Sequence, residues 1–268
     1  MESPDLSSEY PLTKSQIDAY QRDGHIFLKE LASPSEIAFY REAILDAVKK
    51  LNTEKRKLED RDTYGKAFLQ MSNLWRQNEI LKAFVLSKRF AHVAAKLMGV
   101  DKVRLYHDQA LFKEPGGGPT PWHQDQYYWP LDTNNTITMW MPLVNLTEEM
   151  GIMRFASQTH QLGYVTAEAI SDASEQFFSD FVKQNNYKLA GARQANAGDA
   201  TFHSGWTLHH APGNRSGVMR EVMTVIYFAD KTKVLEPDHD NRKADHATWL
   251  MSIPAGEYAV SELNPLID

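Results

Sequence analysis

The N-terminal part of the chain alternates apolar and polar positions mainly with the period of a helix. In LTKSQIDAYQRDG, Thr13 and Gln16 have the spacing of a capping box, and Gly24 can end the helix that follows. In SPSEIAFYREAILDAVKKL, Ser33 precedes a proline and apolar residues at helical spacing, which predicts a second helix. The run HIFLKEL between them predicts a strand. A further helix is expected over NEILKAFVLSKRFAHVAAKLMG, ending at Gly99.

From Val103 onward the pattern changes to short alternating or apolar runs divided by turns. The runs are VRLYHDQALFKE, TITMWMPLVNL, GIMRFAS, DATFHSGWTLHHA and EVMTVIYFAD. Several short strands with turns between them predict a sandwich or a barrel. The segment 166–187 interrupts the strands with a helical pattern, and it is either a packed surface helix or a lid over a site.

Composition and charge exclude several classes of protein. A formal charge of -6 over 268 residues disfavours a general nucleic-acid binder or a binder of anionic membranes, since both need a concentrated basic face. The chain has no cysteine, so any metal site must use nitrogen and oxygen ligands. The N-terminus lacks the pattern of a secretory leader, and no apolar run is long enough to span a membrane. We therefore expect a cytoplasmic protein with a small-molecule partner, and the oligomeric state stays open.

The stretch PWHQDQYYWP, residues 121–130, contains the first candidate chemistry. In an extended chain His123 and Asp125 share one face while Gln124 points away, so two unlike ligands converge on one point. A surface pair or a hydrogen-bonded histidine would produce the same short motif, so the rest of the chain must decide.

The second informative stretch is residues 198–222, GDATFHSGWTLHHAPGNRSGVMREV, which contains His203, His209 and His210. If one of them joins the first motif, the set is two histidines and one carboxylate. That set is the facial arrangement of non-haem Fe(II) oxygenases, which leaves positions open for an organic chelate and dioxygen. Neighbouring residues of a strand point in opposite directions, so His209 and His210 cannot both be ligands.

These blocks, taken in order, resemble the phytanoyl-CoA dioxygenase family of Fe(II)- and 2-oxoglutarate-dependent oxygenases. The resemblance runs from about Leu12 to Phe228, through HQDQYYWP, TMWMPLVNLTEEMGIMRFASQTH and GDATFHSGWTLHHAPGNRS. It implies a mainly β fold with flanking α-helices, in which the core is a double-stranded β-helix, or jelly roll. It also implies a single oxygenase domain over residues 1–268, divided into a helical part (about 1–100), a jelly-roll core (about 101–235) and a C-terminal extension (236–268).

The resemblance also implies which residues bind the metal. Its first two ligands correspond to His123 and Asp125. The distal histidine of the family precedes an asparagine by five positions and an arginine by eleven. His209 matches this spacing through Asn214 and Arg220, so the resemblance assigns it as the third ligand. The other two histidines of that stretch remain as packing or hydrogen-bonding residues.

Further residues are implied in binding the cosubstrate. Arg220 corresponds to the arginine that binds the distal carboxylate of 2-oxoglutarate, a task that suits a planar guanidinium; an isolated arginine would otherwise form a surface ion pair. The resemblance also places Trp140, Gln109 and Gln70 beside the cosubstrate, although each could equally be a core or strand-face residue. The chain departs from the family at Ala211, where a serine that helps to bind the cosubstrate is common.

The implied cofactors are Fe(II), 2-oxoglutarate and O2, and the implied reaction releases succinate and CO2. Halogenating relatives replace the carboxylate ligand with a small residue, so the presence of Asp125 favours hydroxylation of a small aliphatic metabolite or natural-product intermediate. Desaturation or cyclisation is the alternative within the family. From other classes, a metal-dependent hydrolase or isomerase remains, whose chemistry needs no anchor for a dicarboxylate such as Arg220. A non-catalytic metal-binding barrel also remains, and substoichiometric iron without succinate formation would favour it.

Two further segments have alternative interpretations. Tyr127, Tyr128 and Trp129 form either an amphipathic wall for a small substrate or packing at a strand edge. PDHDNRKADH, residues 237–246, could hold a metal through His239 and the flanking acids, but we expect it to be a solvated loop.

Overall fold

The structure, a computed structural model, describes residues 3–268 and contains two larger antiparallel sheets with helices packed around them. The helices are α1 (Lys14–Asp23), α2 (Pro34–Leu51), α3 (Thr63–Ala67), α4 (Glu79–Val85), α5 (Lys88–Met98), α6 (Asp172–Gln184) and α7 (Asp240–Trp249). The strands are β1 (His25–Leu28), β2 (Leu69–Ser72), β3 (Val103–Phe112), β4 (Thr120–His123), β5 (Thr136–Pro142), β6 (Leu146–Thr147), β7 (Arg154–Ala156), β8 (Leu189–Ala190), β9 (Gln194–Ala195), β10 (Ala200–Ser204), β11 (His209–Ala211), β12 (Val222–Ala229) and β13 (Leu266–Ile267).

The two sheets form the predicted jelly-roll core. The larger sheet has the order β1-β10-β5-β12-β3-β13, with β2 also paired to β3, and the smaller sheet has the order β4-β11-β7-β8. Three strands of the larger sheet, β1, β2 and β13, come from the parts of the sequence that were expected to lie outside the core. The division of the chain into three parts stays a prediction.

Along the strands of the larger sheet, successive side chains point in turn into the hydrophobic core on one face and toward a cavity on the other. In β5, Met139 and Met141 belong to the main hydrophobic core, which also contains residues of α2, α4 and α5. Thr138 and Trp140, which alternate with them, line a cavity on the other face. Helices α2, α4 and α5 therefore cover one face of the sheet, and the opposite face is left for the site.

The helix signals were mostly confirmed, with one correction. Thr13 and Ser33 each cap a helix in a complete capping box, and Gly24 ends α1 in the left-handed conformation. The single helix expected over residues 78–99 is wrong, because the chain forms α4 and α5 there. The break comes at Ser87, whose hydroxyl caps α5 and also donates a hydrogen bond to the carbonyl of Leu6. A serine whose hydroxyl bonds both to the first turn of the next helix and to a distant carbonyl favours a helix boundary at that position over a continuous helix.

We expect Thr13→Ala to lower the free energy of unfolding by about 1 kcal/mol, because it removes the cap of α1. The Thr13 hydroxyl accepts the backbone N–H of Gln16 at 3.2 Å. Ser15→Ala, at an exposed position of the same helix, is the matched control and should leave stability unchanged or slightly raised. Denaturant unfolding followed by circular dichroism measures both, and equal stability of the two variants would contradict the capping role.

The interruption between β7 and β8 contains α6, which is packed onto the smaller sheet. Phe178 and Val182 of this helix are buried in one cluster with Trp122. Glu175 accepts the backbone N–H of Trp122 at 2.9 Å. Only the segment that precedes the helix approaches the cavity, through Ala169 and Ile170. The contacts of α6 itself are those of a packed helix.

None of the helices within residues 3–268 combines the length and the apolar character that crossing a membrane would require.

Candidate active site

Two histidines from neighbouring strands of the smaller sheet face each other directly. His123 ends β4, and His209 begins β11 as its partner in the strand register. The Nδ1 atom of His123 lies 2.8 Å from the carbonyl oxygen of Pro121, and that of His209 lies 2.9 Å from the carbonyl of Thr207. Because a carbonyl only accepts, each Nδ1 carries the proton and donates it. This arrangement leaves both Nε2 lone pairs free to bind a metal.

Asp125 completes the set, and its two oxygens have different environments. Oδ2 accepts hydrogen bonds from the Thr138 hydroxyl at 2.9 Å and from Nε2 of His203 at 3.2 Å. Oδ1 lies 3.3 Å from Nε2 of His123 and 3.5 Å from Nε2 of His209. One ligand atom from each of the three residues lies within 4.8 Å of the other two. The carboxylate is thus oriented to offer one oxygen beside two imidazole nitrogens.

The protonation states of these groups suit a metal. Burial would raise the pKa of Asp125, but His209, His123 and His203 around it hold that pKa well below its ordinary value. Burial, together with the neighbouring His123, lowers the pKa of His209 well below its ordinary value. A carboxylate that stays ionised beside a neutral imidazole is the donor set that divalent metals bind.

The two alternative histidines have other contacts. His203 hydrogen bonds to Asp125, while the ring of His210 stacks on Trp122 with centroids 4.1 Å apart. Gln124 points away from the site and donates through Nε2 to two backbone carbonyls at 2.8 Å. The alternation expected along HQD and HH is therefore present. That His209 binds the metal is a proposal.

Arg220 lies in the same cavity as an almost completely buried cation, with 2% of its surface exposed. Its Nη1 donates to the carbonyl of Gly151 at 2.7 Å, its guanidinium lies 5.7 Å from the ring centre of Trp140, and its Nε has no partner. No ion pair of residues 3–268 includes it, and burial lowers its pKa to about 9. A buried guanidinium without a counter-ion is costly, so the site fits a ligand that brings a carboxylate.

The loop between β11 and Arg220 is held by Asn214, which explains the spacing of this motif. Asn214 donates through Nδ2 to the carbonyls of Lys113 at 3.1 Å and Val218 at 2.8 Å. Gly151, whose carbonyl receives Arg220, has a φ of 79°, and a Cβ there would lie 2.2 Å from a backbone carbonyl oxygen. Both residues position the arginine rather than touch a ligand.

One cavity of about 450 Å³ contains the predicted site. Its lining includes every residue assigned from the sequence: His123, Asp125, His209, Arg220, Trp140, Gln109 and Gln70. Gln70 accepts a hydrogen bond from the hydroxyl of Tyr64 at 2.6 Å. The structure thus brings together residues from β2, β3, β4, β5, β11 and the approach to β12.

The prediction of a solvated loop at 237–246 is wrong. His239 caps α7 there, and Asn241, Asp245 and Trp249 of that helix line the cavity. Their spacing of four residues puts them on one helix face, a signal that was present in the sequence. His239 belongs to no cluster of metal ligands in the part of the chain that the structure describes; its ring stacks on Tyr127 at 4.4 Å.

Other lining residues come from the stretch QYYWP and from elements that contain no motif. Tyr128 and Trp129 line the cavity, whereas Tyr127 packs outside it against α7. Tyr64 and His107 line it as well and were not identified from the sequence. Neither belongs to a recognisable motif: Tyr64 lies in α3 and His107 in β3, and only the tertiary fold brings them near the metal ligands.

A family model for phytanoyl-CoA dioxygenase (PhyH) matches residues 20–222, well over half of the chain. The chain belongs to the phytanoyl-CoA dioxygenase family. This confirms the family expected from the sequence, with its dependence on iron and 2-oxoglutarate. The protein is therefore an oxidoreductase of that class.

Curated relatives and solved structures are also similar to this chain. A probable alpha-ketoglutarate-dependent hypophosphite dioxygenase of Stutzerimonas stutzeri is 24% identical over 157 residues, which cover 56% of this chain and 54% of the relative. The chain thus matches about half the length of that protein. The carbocyclase SnoK of nogalamycin biosynthesis is 22% identical, with a TM-score of 0.79 over 96% of this chain and 97% of its own. The epimerase SnoN, solved with Fe3+ and alpha ketoglutarate, is 20% identical, with a TM-score of 0.76 over 95% and 98% of the two chains. These likenesses confirm the fold.

Proposed function

We propose that this member of the phytanoyl-CoA dioxygenase family hydroxylates a small aliphatic molecule, with 2-oxoglutarate and O2 as cosubstrates and succinate and CO2 as coproducts. One observation carries the proposal: three convergent metal ligands and a buried arginine without a counter-ion line the same cavity. When bound, iron and 2-oxoglutarate supply the oxidising chemistry, which no side chain of the protein provides.

Each protein residue then has a defined task. His123, Asp125 and His209 would hold Fe(II), with their orientation fixed by the hydrogen bonds to Nδ1 and Oδ2. Arg220 would bind the distal carboxylate of 2-oxoglutarate, supported by the carbonyl of Gly151 and the ring of Trp140. These contacts would fix the guanidinium in place to orient the cosubstrate.

Gln109 and Gln70 offer amide groups along the same cavity wall. The amide of Gln70 is already oriented by Tyr64. We assign both to positioning the cosubstrate.

The charge of Arg220 is the feature that favours this function over other metal chemistry. A hydrolase or isomerase with the same three ligands needs no partner for a dicarboxylate, and an unused buried guanidinium would only destabilise the fold. A non-catalytic barrel would have the same cost. The location of the arginine in the metal cavity therefore supports an organic dianion as a partner of the metal.

The carboxylate of Asp125 favours hydroxylation as the outcome, because as a metal ligand it would leave no place for a halide. We expect a substrate screen under labelled dioxygen, in buffer that contains chloride, to give a product with one labelled oxygen by mass spectrometry. Loss of two hydrogens without label would indicate desaturation or ring closure instead. A chlorinated product would contradict the role given to Asp125.

The proposal also includes the kind of partner that the protein binds and its location in the cell. The cavity calls for a small-molecule substrate, and the acidic composition supports the expectation that neither nucleic acid nor a membrane is a partner. We retain a cytoplasmic location as part of the same proposal.

A further inference from the structure

Asp245 is an acid in the cavity wall without a cation to balance it. Its Oδ2 accepts a hydrogen bond from the hydroxyl of Tyr106 at 3.1 Å. No ion pair formed within residues 3–268 includes Asp245. Burial raises the pKa of this carboxyl to about 7, although Tyr106 and Trp249 donate to it and oppose the rise. Neither the metal ligands nor Arg220 is among the contacts of Asp245, so the site described above does not use it.

The surroundings of Asp245 are aromatic. The cavity lining also includes Trp249, which lies one turn further along α7, together with Trp129 and Tyr64. The ring of Trp249 lies 4.5 Å from that of His107. Nδ1 of His107 is buried without a hydrogen-bond partner, and burial lowers the pKa of this imidazole to about 3, so it is neutral. Aromatic faces around one carboxylate are the surroundings in which proteins bind organic cations.

The charges of the remaining cavity cancel once the cofactors are bound. Among the described residues, the acidic and strongly basic side chains that line it are Asp125, Arg220 and Asp245. The two positive charges of Fe(II) and that of Arg220 would balance the carboxylate of Asp125 and the two carboxylates of 2-oxoglutarate. The ionised form of Asp245 would then add one uncompensated negative charge, so that the loaded cavity attracts a cation and disfavours an anion.

We propose that the substrate carries a protonated amine, which Asp245 binds within the aromatic wall formed with α7. This inference rests on the proposed function and adds the substrate class to it. An ammonium group would pair with the carboxylate and lie against the ring faces, while the aliphatic part of the molecule extends toward the metal ligands. The relative named as a hypophosphite dioxygenase is named for an anion, and an anion would be repelled by Asp245.

Three probes of the same shape separate charge from size: cyclohexylmethylammonium, cyclohexylmethanol and cyclohexanecarboxylate. Their dissociation constants are measured by calorimetry on protein loaded with Fe(II) and 2-oxoglutarate without oxygen. We expect the ammonium to bind about tenfold or more tightly than the alcohol and the carboxylate to bind most weakly. In Asp245→Asn the ammonium should lose this preference, while the alcohol binds as before.

Asp240→Asn is the matched control, because Asp240 lies in the first turn of the same helix with its side chain almost fully exposed. It should keep the preference for the ammonium. Equal binding of ammonium and alcohol to the wild type, including binding of neither, would overturn the inference, as would a preference that survives Asp245→Asn. The loading step, titrated separately, tests the proposed function: metal-dependent binding of 2-oxoglutarate without amine preference would refute only the substrate class.

Discussion

His209→Ala is expected to abolish high-affinity iron binding and, with it, succinate formation, whereas His210→Ala is expected to keep both. His209 offers a free Nε2 beside Oδ1 of Asp125, whereas His210 lies outside this ligand cluster and stacks its ring on Trp122. Loss of groups that merely orient a ligand costs roughly 10- to 100-fold in metal affinity, so loss of a ligand itself should exceed that range. Metal content after dialysis and the dissociation constant for Fe(II) under anaerobic conditions measure the effect.

The two variants form a matched pair, since they remove the same ring from adjacent positions of β11. Circular dichroism should show both to be folded. If His210→Ala lost the metal and His209→Ala kept it, the third ligand would be assigned one residue too early. If both kept it, the metal would lie elsewhere in the protein.

Arg220→Ala is expected to raise the dissociation constant for 2-oxoglutarate steeply and to leave iron binding nearly unchanged. The substitution would leave one carboxylate of the cosubstrate without its charged partner, at a position where the arginine is almost completely buried. Loss of one partner of a buried charge pair costs about 2 to 5 kcal/mol, which corresponds to a weakening of roughly 30-fold to several thousandfold. Titration of the iron-loaded protein with 2-oxoglutarate in the absence of oxygen measures the change.

Two further variants show whether the binding of 2-oxoglutarate depends on the position of the arginine or on its planar geometry. Arg154→Ala removes a partly exposed arginine that pairs with Glu148 on the smaller sheet, and it should leave the binding of 2-oxoglutarate unchanged. Arg220→Lys keeps the charge but loses the planar fork, so it should bind with intermediate affinity. An unaltered requirement for 2-oxoglutarate in Arg220→Ala would contradict the role of this residue.

The parts of the fold that could be predicted are those that local sequence controls. The capping boxes at Thr13 and Ser33 place two helix starts, because the cap and its partner lie three residues apart. The alternating runs after Val103 place the strands, because side chains on a strand have a period of two. The pair His123 and Asp125 follows the same rule, since the chain is extended between them.

The parts that could not be predicted depend on contacts between distant segments. Ser87 ends one helix and begins another because its hydroxyl also reaches Leu6, which is 81 residues away. The segment that contains Asp245 is polar enough to be taken for a loop. It nevertheless forms a helix, and one face of this helix lines the cavity. Its spacing of four between lining residues was visible, but only the cavity gives that spacing a meaning.

The hydrogen bonds around Asp125 show the same contrast, within the site, between what local sequence predicts and what depends on distant contacts. The sequence left His203 as a packing or hydrogen-bonding residue, and the register between β10 and β5 places His203 opposite Thr138. Both then donate to Oδ2 of Asp125. No local pattern indicates this, because the two donors lie 65 residues apart in the chain and meet only through strand pairing.

The proposed metal and cosubstrate site is tested most directly by anaerobic equilibrium dialysis of radiolabelled 2-oxoglutarate against the wild-type protein, with Fe(II) or with a chelator, and against Asp125→Ala. We expect one 2-oxoglutarate per chain with Fe(II), and strongly weakened binding both in the chelator and in Asp125→Ala. Binding of the same strength in all three samples would contradict a cosubstrate held by iron at His123, Asp125 and His209.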